Sequence, residues 1–70
     1  MSFIETISFC KVFSVAVGLD NSNILSRADL EITNELLKKM ADEAPRWNYY
    51  QKETYKIMAD FIKHNLEELI

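Results

Sequence analysis

Few side chains in this sequence are of a type and spacing that could do chemistry. His64 is the only histidine; Asp60 stands four residues before it, and Glu67 and Glu68 follow at three and four. On a helix these would share a face, where an imidazole among carboxylates could hold a proton or weakly bind a metal. One imidazole with scattered acids is not a metal site, which needs a convergent ligand set. A general base also needs a cleft and a nucleophile, and Ser14, Ser22 and Ser26 sit in no recognisable nucleophile setting. The single glycine rules out a glycine-rich phosphate loop. Cys10 is the only cysteine, with Phe9, Lys11 and Val12 around it. It cannot close an internal disulfide, so a reducing, cytoplasmic setting is expected. Its side chain is expected to act as a small buried hydrophobe. These observations predict no catalytic residue, no metal, no cofactor and no small-molecule substrate, so the chain is not expected to be an enzyme.

The more informative residues are aromatic. Trp47, Tyr49, Tyr50, Tyr55 and Phe61 fall within fifteen positions, with Arg46 and Lys52 flanking the start of the group. Trp, Tyr and Arg are the side chains that dominate protein interfaces, because each combines a large apolar body with a polar handle. On a helix Trp47, Tyr50, Tyr55 and Phe61 can share the inner side, and Tyr49 cannot easily join them. Trp47 and Phe61 also read as core material. The candidate interface is Arg46, Trp47, Tyr49, Tyr50 and Lys52.

A second stretch is rich in oxygen ligands. Asp20, Ser22 and Asn23 precede Ile24-Leu25-Ser26-Arg27-Ala28-Asp29. Residues 12–30 resemble a shortened, degenerate helix-loop-helix of the EF-hand family. The resemblance implies Asp20 and Ser22 as the first- and third-position ligands, Leu25 as the central hydrophobic residue and Asp29 as the closing carboxylate. Two residues are missing from the middle, including the glycine of the sharp turn, and Asp29 replaces the bidentate Glu. Calcium takes 6–8 oxygens, so a loop of this kind is expected to be metal-free.

Composition bounds the partners. The chain has 70 residues and is 49% hydrophobic, with eight Lys and Arg against eleven Asp and Glu, for a formal charge of −3. That length suits one domain, residues 1–70. A domain this small buries only roughly 60% of its unfolded surface. The apolar surplus points to a second protein or to self-association. No basic cluster offers the positive footprint that nucleic acid requires. No run of 18 apolar residues predicts a membrane span. Met1–Leu19 lacks the positive start of a targeting signal, with Glu5 near its beginning and Lys11 at its centre.

Three elements must position these residues. From Trp47 to Leu69 the apolar residues Trp47, Tyr50, Tyr55, Ile57, Met58, Phe61, Ile62, Leu66 and Leu69 take one broad side of a helix. Lys52, Glu53, Lys56, Asp60, Lys63, His64 and Glu67 take the other. A second helix opens at Ser26, with Asp29 three residues on as a capping box and Pro45 at its end. Its inner face is Leu30, Thr33, Leu37, Met40, Ala41 and Ala44, with Leu36 at the edge. Glu35 and Lys39 are spaced to pair on the outside.

Residues 3–18 are ambiguous. As a helix they would be nearly buried all round, because their polar positions do not gather on one side. As a strand they alternate fairly, with Lys11 out of place, but nothing else in the chain alternates to pair with them. Gly18 suits a helix C-terminus with positive φ, and Asp20–Asn23 suit a turn. The expected architecture is all-α, a small three-helix bundle or orthogonal cluster over 3–18, 26–44 and 46–69. The alternative is a dimeric strand-helix-helix protein. The expected function is a non-catalytic protein–protein interaction module, a small regulator or inhibitor of a larger protein or a homodimer. Two alternatives are an N-terminal ribbon contacting DNA and a calcium-loop relative that binds a target helix.

Overall fold

Ser2 starts the first helix. Its hydroxyl accepts from the Glu5 amide at 3.1 Å, and the Glu5 carboxylate accepts from the Ser2 amide at 2.9 Å. This reciprocal box satisfies two of the amides that a helix start leaves without partners. The computed structural model describes residues 2–19 and 25–68. They form α1 (Phe3–Ala16), α2 (Arg27–Met40), a 3-10 turn (Ala41–Arg46) and α3 (Tyr49–Glu68). The fold is all-α, and no strand occurs among the described residues. The expected helix over residues 3–18 therefore holds, as Phe3–Ala16, and the alternative N-terminal strand does not form.

Gly18 ends α1 as expected, at φ +78°. Its amide donates to the Val15 carbonyl at 3.1 Å, and the Leu19 amide to the Ser14 carbonyl at 2.9 Å. This is a Schellman motif, whose left-handed residue suits glycine because it has no Cβ to clash. Asp20, Asn21, Ser22, Asn23 and Ile24 lie outside the described residues, and so do Leu69 and Ile70. The predicted turn and the first two ligand positions of the EF-hand resemblance fall there.

Ser26 caps α2 with the predicted box. The Asp29 amide donates to the Ser26 hydroxyl at 3.1 Å, and the Asp29 carboxylate accepts from the Ser26 amide and hydroxyl. Helix α2 is shorter than expected. It tightens after Met40 into a 3-10 turn that contains Pro45. Pro45 has no amide to donate and disfavours an α conformation at Ala44. Trp47 is then extended, at ψ 144°. Asn48 begins α3 with a third reciprocal box, Asn48 amide to Gln51 Oε1 at 2.9 Å and Gln51 amide to Asn48 Oδ1 at 2.8 Å.

The core is Val12 from α1, Leu30 and Leu37 from α2, and Met58 and Ile62 from α3, each at most 2% exposed. Phe9, Phe13, Met40, Tyr55, Phe61 and Leu66 pack partly buried around it. All three helices meet one another. The radius of gyration is 11.7 Å, near the about 11 Å expected for a compact chain of this length. Leu36, expected at the edge of α2, is buried. No helix among the described residues is long and apolar enough to cross a membrane.

Helix α1 departs from the expectation in one respect. It is not buried all round: only Ser8 and Val12 are fully enclosed, while Phe3, Ile4, Ile7 and Cys10 face outward. Two neighbouring helices can cover only one side of a third, so the rest of an evenly apolar helix stays open. Cys10 falls on that open side and is exposed rather than buried.

Candidate functional site

The aromatic residues split into two pairs. Trp47, half-buried, packs against Tyr55 with ring centroids 5.0 Å apart. Tyr49 and Tyr50 meet edge to face at 5.8 Å and remain 70% and 78% exposed. The periodicity placed Tyr50 and Ile57 on the inner side, but both are exposed. They stand roughly 100–120° round α3 from the line of Met58 and Ile62, beyond the sector that α1 and α2 cover.

Between the pairs lies an open apolar groove of about 280 Å3. Its floor is Leu37 and Met58, which are buried; Phe9, Met40 and Tyr55 form walls; Trp47 and Tyr50 stand at the lip. Helical spacing explains the assembly. Leu37 and Met40 are three apart on α2, while Tyr50, Thr54 and Met58 are four apart along α3, each step turning about 40° round the helix, so the row runs from the exposed lip to the buried floor. Phe9 reaches the groove from α1, where it stacks along the helix on Phe13 at 6.3 Å. The polar lining is Asn48, Gln51 and Thr54, and the first two are occupied in capping each other. Among the described residues, no Asp, Glu, Lys, Arg or His lines it. The volume is just below the range of about 300–1,000 Å3 for pockets that enclose a small molecule. The groove matches one or two apolar side chains presented from outside.

Of the predicted interface residues, the structure brings Trp47 and Tyr50 to the groove, with Tyr49 against Tyr50. Arg46 and Lys52 are exposed but do not line it. Phe9, Leu37, Met40, Thr54 and Met58 were missed as lining residues, because a groove between three helices has no signature within one of them. On the far side of Met40 and Trp47 a second depression is rimmed by Glu5, Lys39 and Glu43. There Lys39 Nζ reaches Glu5 Oε2 at 3.4 Å, while Glu35 pairs with Lys38 at 3.2 Å. The expected Glu35–Lys39 pair is replaced because α1 offers Lys39 a second carboxylate.

The other chemically suggestive groups are engaged locally. His64 Nε2 lies 2.9 Å from Glu68 Oε1, with both side chains exposed. No group of three or more potential metal-ligating side chains occurs among the described residues. Asp29, the closing residue of the EF-hand resemblance, spends one oxygen on Ser26 and the other on the Ser8 hydroxyl at 3.2 Å. Burial pushes the Asp29 carboxyl up, but the Ser26 and Ser8 hydrogen bonds and the Lys11 charge outweigh it and hold the group below its ordinary value. Glu5 is also lowered, chiefly by the Ser2 amide and hydroxyl, with Lys39 adding to the effect.

Comparison with protein-family models, curated proteins and solved structures finds no match for this chain.

Proposed function

We propose that this chain is a non-catalytic protein–protein interaction module, a small regulator or inhibitor of a larger protein, and that the groove beside Trp47 and Tyr50 is its contact site. One observation carries the reading. Tyr50 and its neighbour Tyr49 stay largely exposed at the edge of an apolar groove whose floor is core. An exposed tyrosine beside an apolar groove suits an interface hot spot, where a rigid aromatic ring contributes contact area at small entropic cost. The partner is expected to present apolar side chains three or four positions apart on a helix, the spacing that fills a groove of this kind. A reducing, cytoplasmic setting suits the exposed thiol of Cys10.

Site-specific photo-crosslinking tests the reading. A benzophenone side chain replaces Tyr50 in one variant and His64 in another, the two sites being roughly 21 Å apart along α3. In extracts of the source cells, a discrete protein adduct is expected from position 50 and none from position 64. Equal yields from both positions, or no adduct from position 50, would overturn the site.

A further inference from the structure

Met40 belongs to two depressions at once. It forms a wall of the groove with Phe9 and Tyr55, and it lines the depression beside Trp47 with Leu36, Lys39 and Glu43. It is half-buried, so solvent reaches it from both. Met58, the other methionine among the described residues, lies under the groove at 0% exposure. A thioether is oxidised only where the oxidant reaches its sulfur. The fold leaves one groove methionine open to an oxidant and encloses the other.

We propose that Met40 is a reversible oxidation site for hydroperoxides, and that its sulfoxide closes the groove to an apolar side chain. The second half rests on the reading of the groove as the contact site. In the step, the Met40 sulfur attacks one oxygen of hydrogen peroxide. An S–O bond forms and the O–O bond breaks. The departing hydroxide takes the proton from the transferred oxygen and leaves as water. Sulfur loses two electrons and the peroxide gains them. The return takes two electrons from a pair of thiols, which become a disulfide, and releases the oxygen as water. The exposure that admits the oxidant also admits a reductase. The product is polar where the thioether was apolar. Its oxygen stays hydrated, because both depressions are open to solvent. The fold keeps its core, because Met40 packs against the enclosed cluster without belonging to it. An apolar side chain entering the groove must displace that water and leave the oxygen unpaired.

Peptide mapping after hydrogen peroxide tests the site, in a Cys10→Ser background that removes the exposed thiol. Trypsin separates the two methionines, because Lys39 and Arg46 bracket Met40 while Lys56 and Lys63 bracket Met58. Met40 is expected to gain one oxygen at least about tenfold faster than Met58; equal rates would overturn the proposal. The effect on the groove is read with the position-50 crosslinker, the protein being oxidised and freed of peroxide before it meets the extract. The adduct is expected to fall by about tenfold, to return after methionine sulfoxide reductase and dithiothreitol, and to do so at constant helicity. Met40→Leu is compared only with itself, and its adduct is expected to be the same before and after peroxide. An adduct indifferent to the Met40 sulfoxide, helicity lost with it, or a Met40→Leu adduct that still falls would each overturn the proposal. No adduct from the reduced protein would overturn the groove reading first, and the closure with it.

Discussion

Thr33 is the residue whose environment fits its chemistry least well. It is fully buried, and its hydroxyl finds no partner among the described residues. A buried polar atom left unpaired costs about 1–3 kcal/mol. Valine has nearly the same shape and no hydroxyl, so Thr33→Val is expected to stabilise the fold by about 1 kcal/mol or more, read as a raised urea midpoint. Asp29 is the opposite case, a partly buried carboxylate that accepts from the Ser26 amide and hydroxyl and from the Ser8 hydroxyl. Both Asp29 and Glu5 titrate below their ordinary values in the folded protein. The unfolded chain therefore takes up protons first as the pH falls. Stability from these groups is complete above the ordinary carboxylate range, about pH 4, and is lost as the pH drops through the folded values. Urea midpoints for the wild type and for Ser8→Ala/Ser26→Ala are expected to differ most near neutrality and to draw closer in strong acid, where the bond from the Asp29 amide to Ser26 still separates them. Ser26 and Asp29 were legible as a cap from their spacing. The Ser8 bond to Asp29 was not, because it joins residues 21 positions apart on two different helices.

At the scale of elements, α1 was the hard case, and its start held the answer. Ser2-Phe3-Ile4-Glu5 has the spacing of a capping box, a local signal for a helix that alternation within residues 3–17 obscures. The apolar residues of α1 point in all directions because the helix serves the core on one side and is open on the other. Periodicity assigns faces only where one side is polar. Ser2→Ala removes the cap and is expected to cost about 1 kcal/mol and to raise amide exchange in the first turn of α1. At the other end, Gly18 has open space where a Cβ would stand. Gly18→Ala is therefore a test of backbone strain alone, expected to cost about 1–2 kcal/mol without disturbing the core. Asn48-x-x-Gln51 likewise marks the start of α3 three residues after Pro45, later than the periodicity of the apolar residues placed it.

For the whole molecule the arithmetic is tight. A 70-residue domain is worth about 4–10 kcal/mol at the usual stability per residue. Five side chains form its enclosed cluster. Ile62→Ala removes one of them at about 2–5 kcal/mol, and is expected to leave a substantial unfolded population by circular dichroism at 25 °C. Residues outside that cluster are free of this constraint. Tyr49 and Tyr50 remain exposed although the domain is short of core, which is the strongest reason to assign them to a partner. Their candidacy was legible from residue type, while the groove they border was not, since its walls come from α1, α2 and α3. The most direct measurement of the central claim is the affinity of Tyr49→Ala/Tyr50→Ala for the protein that crosslinks at position 50, with its helicity recorded on the same sample. The account predicts wild-type helicity and binding weakened by more than about tenfold. Loss of the fold in this variant, or unchanged affinity with the fold intact, would contradict it.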